Sequence, residues 1–244
     1  MITLPRLGPF DLAFPPVEAA LEEPNGLLAF GGDLCSERLL AAYARGIFPW
    51  YSDGQPILWW SPDPRLVFDT AAPHVPRRLK RWLKTCDWTI SADCAFADVI
   101  ARCAGPRKAG AGTWITDAMF DAYCRLHAEG HAHSVEVREA GELVGGIYGV
   151  AIGRMFFGES MFSRRDHASK VALIALCAAL ARAGFPLIDA QVTSAHLVTL
   201  GAREMPRAEF SQRIAGLVGQ AGIIGSWSGL VAGIEARTLG ERRA

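Results

Sequence analysis

The sequence predicts an α+β protein, in which a small N-terminal α/β domain precedes a larger domain built around one central mixed sheet. The first observation is the length of 244 residues, which at ~150 residues per domain fits one large or two modest domains. The second is the pair Pro62 and Pro64, which favours an extended boundary segment. The third is a run of alternating strands followed by a long apolar helix. We therefore place the domains at residues 1–64 and 65–244.

The strands of the larger domain are predicted from alternation and from the turns between them. Ala140-Gly141 and Gly153-Arg154 separate three strand-like runs, so a meander is expected over residues 133–138, 143–152 and 155–161. Thr116 is a good N-cap for the helix that precedes the meander. The other predicted elements are helices over 36–45, 95–103, 116–127, 169–183, 193–200 and 206–218 and a short buried strand over 187–192.

Composition excludes several classes of protein. Hydrophobic residues make up 50%, charged residues 20%, and the formal net charge is +0, which argues against a disordered chain and a globally cationic nucleic-acid binder. The longest apolar run, Val171–Ala181, is shorter than the ~20 residues of a membrane span. No secretory signal is visible, so we expect a cytoplasmic protein without membrane association.

Cysteine and histidine spacing does not indicate a metal. The 6 cysteines contain no Cys-x-x-Cys pair and are interpreted as reduced side chains. His131 and His133 form a pair without a nearby Cys or Glu at ligand spacing, so no metal site is expected.

Basic residues gather near the start of the larger domain. Pro76 suits the first position of a helix whose apolar face holds Leu79, Trp82 and Leu83. The helix is either a solvated amphipathic surface helix or a phosphate-binding face anchored through Trp82. Its five cations, called here the basic-helix residues, are Arg77, Arg78, Lys80, Arg81 and Lys84.

Two pairs of residues on predicted strands could carry chemistry. Glu159 and Met161 alternate onto the same face, and a carboxylate beside a large apolar side chain is typical of a pocket for an amphiphilic substrate. The alternative is that Glu159 is exposed at a solvated strand end. Asp189 and Gln191 share one face of an otherwise apolar strand, where buried polar groups need partners. The alternative there is that Asp189 caps the following helix.

Motifs of several known enzyme classes are missing or weak. The sequence has no Gly-x-Ser-x-Gly elbow, no His-Glu-x-x-His motif and no Walker loop. Residues 107–112 fit the phosphate loop of acyl-CoA N-acetyltransferases, but the preceding segment is predicted to be helical rather than a strand. A flexible basic linker is the alternative. An acyl-CoA N-acyltransferase is one rival function, and a non-catalytic module that recognises basic N-terminal residues is another.

A series of short motifs is spread in order from about residue 14 to about residue 210. They are Glu23-Pro-Asn-Gly-Leu-Leu-Ala, Gly32-Asp-Leu, Arg45-Gly-Ile-Phe-Pro-Trp, Ile57-Leu-Trp-Trp-Ser-Pro-Asp-Pro-Arg, Gly112-Thr-Trp-Ile-Thr, Leu126-His, Gly130-His-Ala-His-Ser, Leu143-Val-Gly-Gly, Tyr148-Gly-Val, Gly158-Glu-Ser-Met-Phe-Ser-Arg, Ala168-Ser-Lys and Ile188-Asp-Ala-Gln. Together they resemble the leucyl/phenylalanyl-tRNA–protein transferase family.

The resemblance implies an activity and its partners. The expected reaction moves Leu or Phe, and in some cases Met, from aminoacyl-tRNA onto the N-terminal Arg or Lys of a protein, which marks that protein for degradation. It also implies a cytoplasmic bacterial enzyme with no metal or organic cofactor, and a larger domain that resembles the acetyltransferase (GNAT) fold. We expect a monomer.

The resemblance also assigns polar and aromatic site residues. Trp50 and Trp114 match tryptophans that hold the 3′-terminal adenosine by stacking. Glu159, Asp189 and Gln191 match polar residues around the reacting ester. Our hypothesis is that Asp189 orients Gln191, so that the pair positions the attacking amine, while Asp189 or Glu159 attracts the cationic side chain of the acceptor. The basic-helix residues are the expected contact with the tRNA backbone.

The apolar pocket departs from the family pattern at two positions. Ile147 stands where Met occurs and Leu176 where Phe occurs, which concerns the preference among Leu, Phe and Met. Two further departures lie outside the pocket set: His167 stands where Asn is usual, and Ala190 stands where Cys often occurs. The pocket positions for the transferred side chain are Ile147, Phe156, Met161, Leu173, Leu176 and Ile188.

Overall fold

The strands of the protein form two sheets. The computed structural model describes residues 4–105 and 115–241. Within this part of the chain, one sheet has 4 strands and the other has 7. No helix in the described ranges is long and apolar enough to cross a membrane.

The smaller sheet lies in the N-terminal part and has the strand order β1-β2-β4-β3. β1 pairs with β2 in parallel, whereas β4 pairs antiparallel with both β2 and β3. The helix α1 follows β2, and Gly46 stops it at the next turn with φ +71°. The bounds are β1 Arg6–Leu7, β2 Leu27–Gly31, α1 Ser36–Tyr43, β3 Phe48–Pro49 and β4 Leu58–Trp60.

The larger sheet is mixed and has the order β11-β5-β10-β9-β8-β7-β6. β9 and β10 are parallel neighbours, and every other described pair in this sheet is antiparallel. Its strands are β5 Arg65–Asp69, β6 Thr89–Ala92, β7 Ala132–Glu139, β8 Glu142–Ile152, β9 Met155–Ser163, β10 Leu187–Asp189 and β11 Arg203–Met205.

The helices cover this sheet, and α5 connects its two parallel strands. α5 is buried along nearly its whole length because its sequence is apolar on every side. α4 begins where the Thr116 hydroxyl accepts the Met119 N–H at 3.3 Å, as its N-cap sequence predicts. The helices are α2 Arg77–Leu83, α3 Phe96–Cys103, α4 Asp117–Ala128, α5 Ala168–Arg182, α6 Ala195–Val198 and α7 Arg207–Val218.

Several predicted elements are confirmed. The meander corresponds to β7, β8 and β9, and the long apolar helix corresponds to α5. In α2, Leu79 and Leu83 are buried and Trp82 is half-buried, as the apolar face requires, although Pro76 is the N-cap rather than the first helical residue.

Other predictions are wrong in extent. The strand predicted over 187–192 ends at Asp189, because Gln191 has a left-handed φ of +63°. The helix predicted over 193–200 is reduced to α6, since Ser194 is its N-cap. The strands β5, β6 and β11 were not predicted.

The two sheets divide the chain between Trp60 and Arg65. A common apolar cluster nevertheless contains residues from both sides of that point, including Trp59, Val67 and Tyr123. The domain boundary at residue 64 stays a prediction.

A β-bulge interrupts the pairing of β8 with β9. Tyr148 pairs with Ser160 and Gly149 with Gly158, so Glu159 is the extra residue between them. Bulges redirect side chains and are common beside functional sites. Gly149 is required there, because a Cβ at this position would collide with the carbonyl oxygen of Phe157 and lie 2.7 Å from the Phe156 ring.

The substitution Gly149→Ala is expected to lower the free energy of unfolding by ~3 kcal/mol, because the surrounding backbone cannot yield easily. For a protein of this size the Tm would fall by roughly 6–12 °C, measured by thermal unfolding. Gly216→Ala is the control, since a Cβ at Gly216 in α7 meets nothing within 4 Å and Ala favours a helix over Gly. Equal Tm shifts in the two variants would contradict the requirement for glycine at position 149.

Candidate active site

A buried ion pair forms the base of the site. Arg65 and Asp189 have fully buried side chains. Arg65 Nε lies 2.8 Å from Asp189 Oδ1 and Arg65 Nη2 lies 2.7 Å from Asp189 Oδ2, so the contact is bidentate. Arg65 Nη1 also donates to the Gly46 carbonyl at 2.8 Å. The guanidinium also contacts the rings of Phe48 and Phe210, with its carbon 4.9 and 4.7 Å from their centroids.

Asp189 fixes the backbone of Gln191. The Gln191 N–H donates to Asp189 Oδ1 at 2.8 Å, and Gln191 has a φ of +63°. A non-glycine residue in this region is strained and persists only where its surroundings hold it. Gln191 Nε2 donates to Glu159 Oε1 at 2.7 Å. The ion pair thus acts on the Gln191 main chain, while Glu159 orients its side chain.

Glu159 accepts hydrogen bonds from two buried tyrosines as well. Tyr43 Oη donates to Glu159 Oε1 at 2.6 Å and Tyr123 Oη donates to Oε2 at 3.0 Å. The two hydroxyls also contact each other. Burial raises the pKa of both tyrosines well above the ordinary value, which keeps them protonated as donors.

The environment of Glu159 gives its carboxyl group an unusual pKa. Burial is the largest influence and raises the pKa, the hydrogen-bond donors Tyr43, Tyr123 and Gln191 lower it in part, and the nearby charge of Asp189 raises it. Together they raise the pKa from its ordinary value of 4.5 to about 7. Glu159 can therefore exchange a proton near neutral pH, as general acid–base groups do.

A cavity of 330 Å³ opens beside these groups. Glu159, Gln191, Met161 and Trp50 all line it. Trp50 is 42% exposed, which leaves an indole at the rim available for stacking. Asp189 is not a lining residue, because it is buried behind Gln191 against Arg65.

The predicted apolar pocket residues come together in one cluster. Only Met161 among them lines the cavity, and it packs against the buried cluster to which the others belong. Ile188 pairs with Phe156 in the sheet, so it lies on the side of β10 opposite Asp189, as alternation predicts. The buried members of the cluster are Ile147, Phe156, Leu173, Leu176 and Ile188.

The remaining predicted residues lie in different places. Trp114 and the basic loop at 107–112 are outside the described residues. All five basic-helix residues are exposed on or just after α2. Ala190 lines the cavity. His167 is the N-cap of α5 with φ +76°, a conformation in which His is among the more frequent non-glycine residues.

Sequence reasoning missed Arg65, Tyr43 and Tyr123. Each is a polar side chain that is fully or nearly fully buried. A buried Asp189 requires a cationic partner, which is the signal that could have led to Arg65. The tyrosines lie on the apolar faces of α1 and α4, so their sequence positions indicate packing and nothing more.

The described residues contain no group of three or more His, Cys, Asp or Glu side chains that could hold a metal ion. The groups around the cavity are hydrogen-bond donors and acceptors with one carboxyl of raised pKa. This arrangement can orient an amine and remove its proton.

Comparison with known proteins gives consistent matches. The family model "Leucyl/phenylalanyl-tRNA protein transferase" matches residues 67–215, and the model of that family's N-terminal domain matches residues 32–63. A protein of Xanthomonas campestris pv. campestris (strain B100) named leucyl/phenylalanyl-tRNA–protein transferase is 60% identical over 229 residues, which cover 93% of this chain and 92% of that protein. A protein of the same name from Pseudomonas entomophila (strain L48) is 59% identical over 205 residues, covering 84% and 91%.

A comparison of structures gives a weaker similarity. The structure of L-PGS from Bacillus licheniformis aligns with 68% of this chain and 53% of its own, at 11% identity and a TM-score of 0.38. A TM-score this low does not establish a shared fold.

The substitution Arg65→Met is expected to lower the free energy of unfolding by ~3–5 kcal/mol, because it leaves the Asp189 charge buried without its partner. The double variant Arg65→Met with Asp189→Asn should recover much of that loss, since the neutral amide can still accept the Gln191 N–H. Denaturant unfolding measures both. A double variant no more stable than Arg65→Met would contradict the pairing.

The raised pKa of Glu159 predicts a pH dependence of stability. Between about pH 4.5 and 7 the folded protein retains a proton on Glu159 that the unfolded chain has lost. The contribution of Glu159 to the free energy of unfolding therefore decreases as pH rises through that window. Unfolding of Glu159→Gln over pH 4–8 should lack this decrease, whereas Glu142→Gln, an exposed control on β8, should retain it. If the free energy of unfolding of the wild type and of Glu159→Gln depended on pH in the same way, the raised pKa of Glu159 would be contradicted.

Proposed function

Because this chain belongs to the leucyl/phenylalanyl-tRNA protein transferase family, it is an aminoacyltransferase, and we propose how its site performs the reaction. It transfers Leu or Phe from aminoacyl-tRNA to the N-terminal Arg or Lys of acceptor proteins and so marks them for degradation. Met is a further donor amino acid in this proposal. The observation that carries the mechanism is the Glu159–Gln191 pair on the wall of the cavity, beside Trp50 and Met161.

The reaction is the aminolysis of an ester. The neutral α-amine of the acceptor attacks the ester carbonyl, a tetrahedral oxyanion forms, and the ribose oxygen leaves as a hydroxyl while the amine loses a proton. An aminoacyl ester is already activated, so the reaction needs no ATP. Holding the amine against the carbonyl supplies much of the rate.

Gln191 and Glu159 divide the work on the amine. Gln191 Nε2 is bound to Glu159, so its carbonyl oxygen is the group that accepts an N–H of the amine and orients it. An amide is too weak a base to remove the proton. Glu159 Oε2 accepts a hydrogen bond from Tyr123, and a carboxylate oxygen can accept a second. With a pKa of about 7, Glu159 takes the proton and also attracts the cationic acceptor.

Asp189 and Arg65 are positioning residues in this mechanism. Asp189 contacts the Gln191 N–H rather than the cavity. This arrangement supports the hypothesis that Asp189 orients Gln191, and it makes Glu159 the better candidate for binding the basic acceptor side chain.

The donor ester is held by its two ends. Trp50 at the rim supports stacking on the 3′-terminal adenosine, with Trp114 as its proposed partner. The transferred side chain lies against Met161, and the buried cluster behind Met161 sets its preferred size. Ile147 and Leu176, in place of longer or larger side chains, tune the preference among Leu, Phe and Met.

The wider setting of the reaction is also part of the proposal. The exposed basic-helix residues form no ion pair within the described ranges, which supports contact with tRNA phosphates. The parallel β9–α5–β10 unit beside an antiparallel meander supports an acetyltransferase-like layout for residues 65–244 after an N-terminal domain of residues 1–64. We propose a cytoplasmic monomer without a cofactor.

Transfer of radiolabelled Leu from Leu-tRNA to a protein with N-terminal Arg, without ATP or CoA, tests the function. Label should appear in the acceptor and should be absent when its first residue is Gly. If no label is transferred from Leu-, Phe- or Met-tRNA, the proposal is rejected. Binding of CoA would then favour an acyl-CoA enzyme.

The substitution Gln191→Ala is expected to reduce kcat/KM for transfer by about 100-fold, because the attacking amine loses its orienting acceptor. The far-UV and near-UV circular dichroism of the variant should remain those of the wild type. Ser194→Ala is the matched control, since Ser194 also lines the cavity but makes no side-chain cap bond, and it should keep near wild-type transfer. Equal activity of the two variants would remove Gln191 from the mechanism.

A further inference from the structure

The start of α5 carries His167 and Lys170 beside α2, and His196 of α6 lies at the cavity. The Trp82 ring of α2 contacts the His167 ring, with centroids 5.2 Å apart. Lys170 follows one helical turn after His167 and is half-buried. On the far side, His196 is an exposed lining residue of the cavity.

The start of α5 also adjoins the cavity side of β9, because the Ser169 N–H donates to Ser163 Oγ at 3.0 Å and Met161, two residues earlier on β9, lines the cavity. Burial and then the Lys170 ammonium lower the pKa of His167, where Arg78 of α2 acts in the same sense and Asp166 opposes it. Burial and then Lys170 also lower the pKa of His196. Lys170 thus follows a residue that contacts the end of β9, and its charge acts on both His167 and His196.

Lys170 has no anionic partner among the residues that the structure describes. Within the described ranges it takes part in no ion pair and no side-chain hydrogen bond. A half-buried ammonium without a carboxylate favours an external anion. In the donor RNA that anion is a phosphate, because a phosphodiester links each nucleotide of the single-stranded 3′ end to the next.

We infer that Lys170 binds a phosphate of the single-stranded 3′ end of the donor tRNA, between the terminal adenosine in the cavity and the stem on α2. The inference rests on the proposed function and extends it to a residue outside both the reacting groups and the basic helix. In this arrangement the single-stranded 3′ end of the tRNA runs from the ester at Glu159 and Gln191 past His196 and Lys170. It then reaches Arg78 on α2.

The test compares two donors that differ in phosphates. Full Leu-tRNA carries the phosphates, whereas leucyl-adenosine, an ester of adenosine alone, does not. Lys170→Gln is expected to raise KM for Leu-tRNA by roughly 3- to 10-fold with little change in kcat. The slope of log affinity against log salt should become shallower by about 0.7, the value for one phosphate contact on a single strand. Transfer from leucyl-adenosine should be unchanged.

Two further variants serve as controls. Lys170→Arg keeps the charge and should restore KM. Arg6→Gln removes an exposed cation on β1, at the edge of the smaller sheet opposite to β3, and should leave KM and the salt slope unchanged.

Other results would overturn the inference. An unchanged KM and salt slope in Lys170→Gln would show that no phosphate binds there, and an equal loss with both donors would indicate a structural role. Binding of Leu-tRNA, measured by fluorescence anisotropy, separates this inference from the proposed function. A wild-type protein that binds the tRNA through Lys170 but transfers from neither donor would reject the function and support the contact.

Discussion

The buried pair between Arg65 and Asp189 is the constraint on which the site depends. A charge removed from water is tolerated only with a well-placed partner and further hydrogen bonds, and here both requirements are met. Arg65 uses its third nitrogen, Nη1, to donate to the carbonyl of Gly46, just before β3. The pair therefore joins the strand β5, the strand β10 and the chain that leads to Trp50. Its contribution is to position these segments, since the Coulomb attraction mainly offsets the loss of hydration.

The strain at Gln191 follows from that arrangement. A regular strand would continue the alternation of β10 and place residue 191 on the face of Asp189. Asp189 Oδ1 instead holds the Gln191 N–H while the residue turns through a left-handed conformation. The bulge in β9 redirects Glu159 in the same region. The two local irregularities therefore shape the contact between Gln191 and Glu159, which the parallel register of β10 with β9 already brings close together.

Local patterns in the sequence predict part of this structure. Alternation and turn residues indicate the meander, and the unbroken apolar run indicates α5. Polar residues within apolar strands single out Glu159, Asp189 and Gln191. The partners of these residues cannot be read in the same way, because Arg65 is 124 positions from Asp189 and Tyr43 is 116 from Glu159. Such contacts depend on how the sheet is assembled, and β5 was itself missed.

Position 167 joins the start of α5 to the basic helix. Its residue has a left-handed φ of +76°, a region in which His is one of the more frequent non-glycine residues. That conformation begins α5, and the His167 ring contacts the Trp82 ring of α2 with centroids 5.2 Å apart. Because Lys170 lies one helical turn later, the same contact helps to fix the position of Lys170 relative to α2.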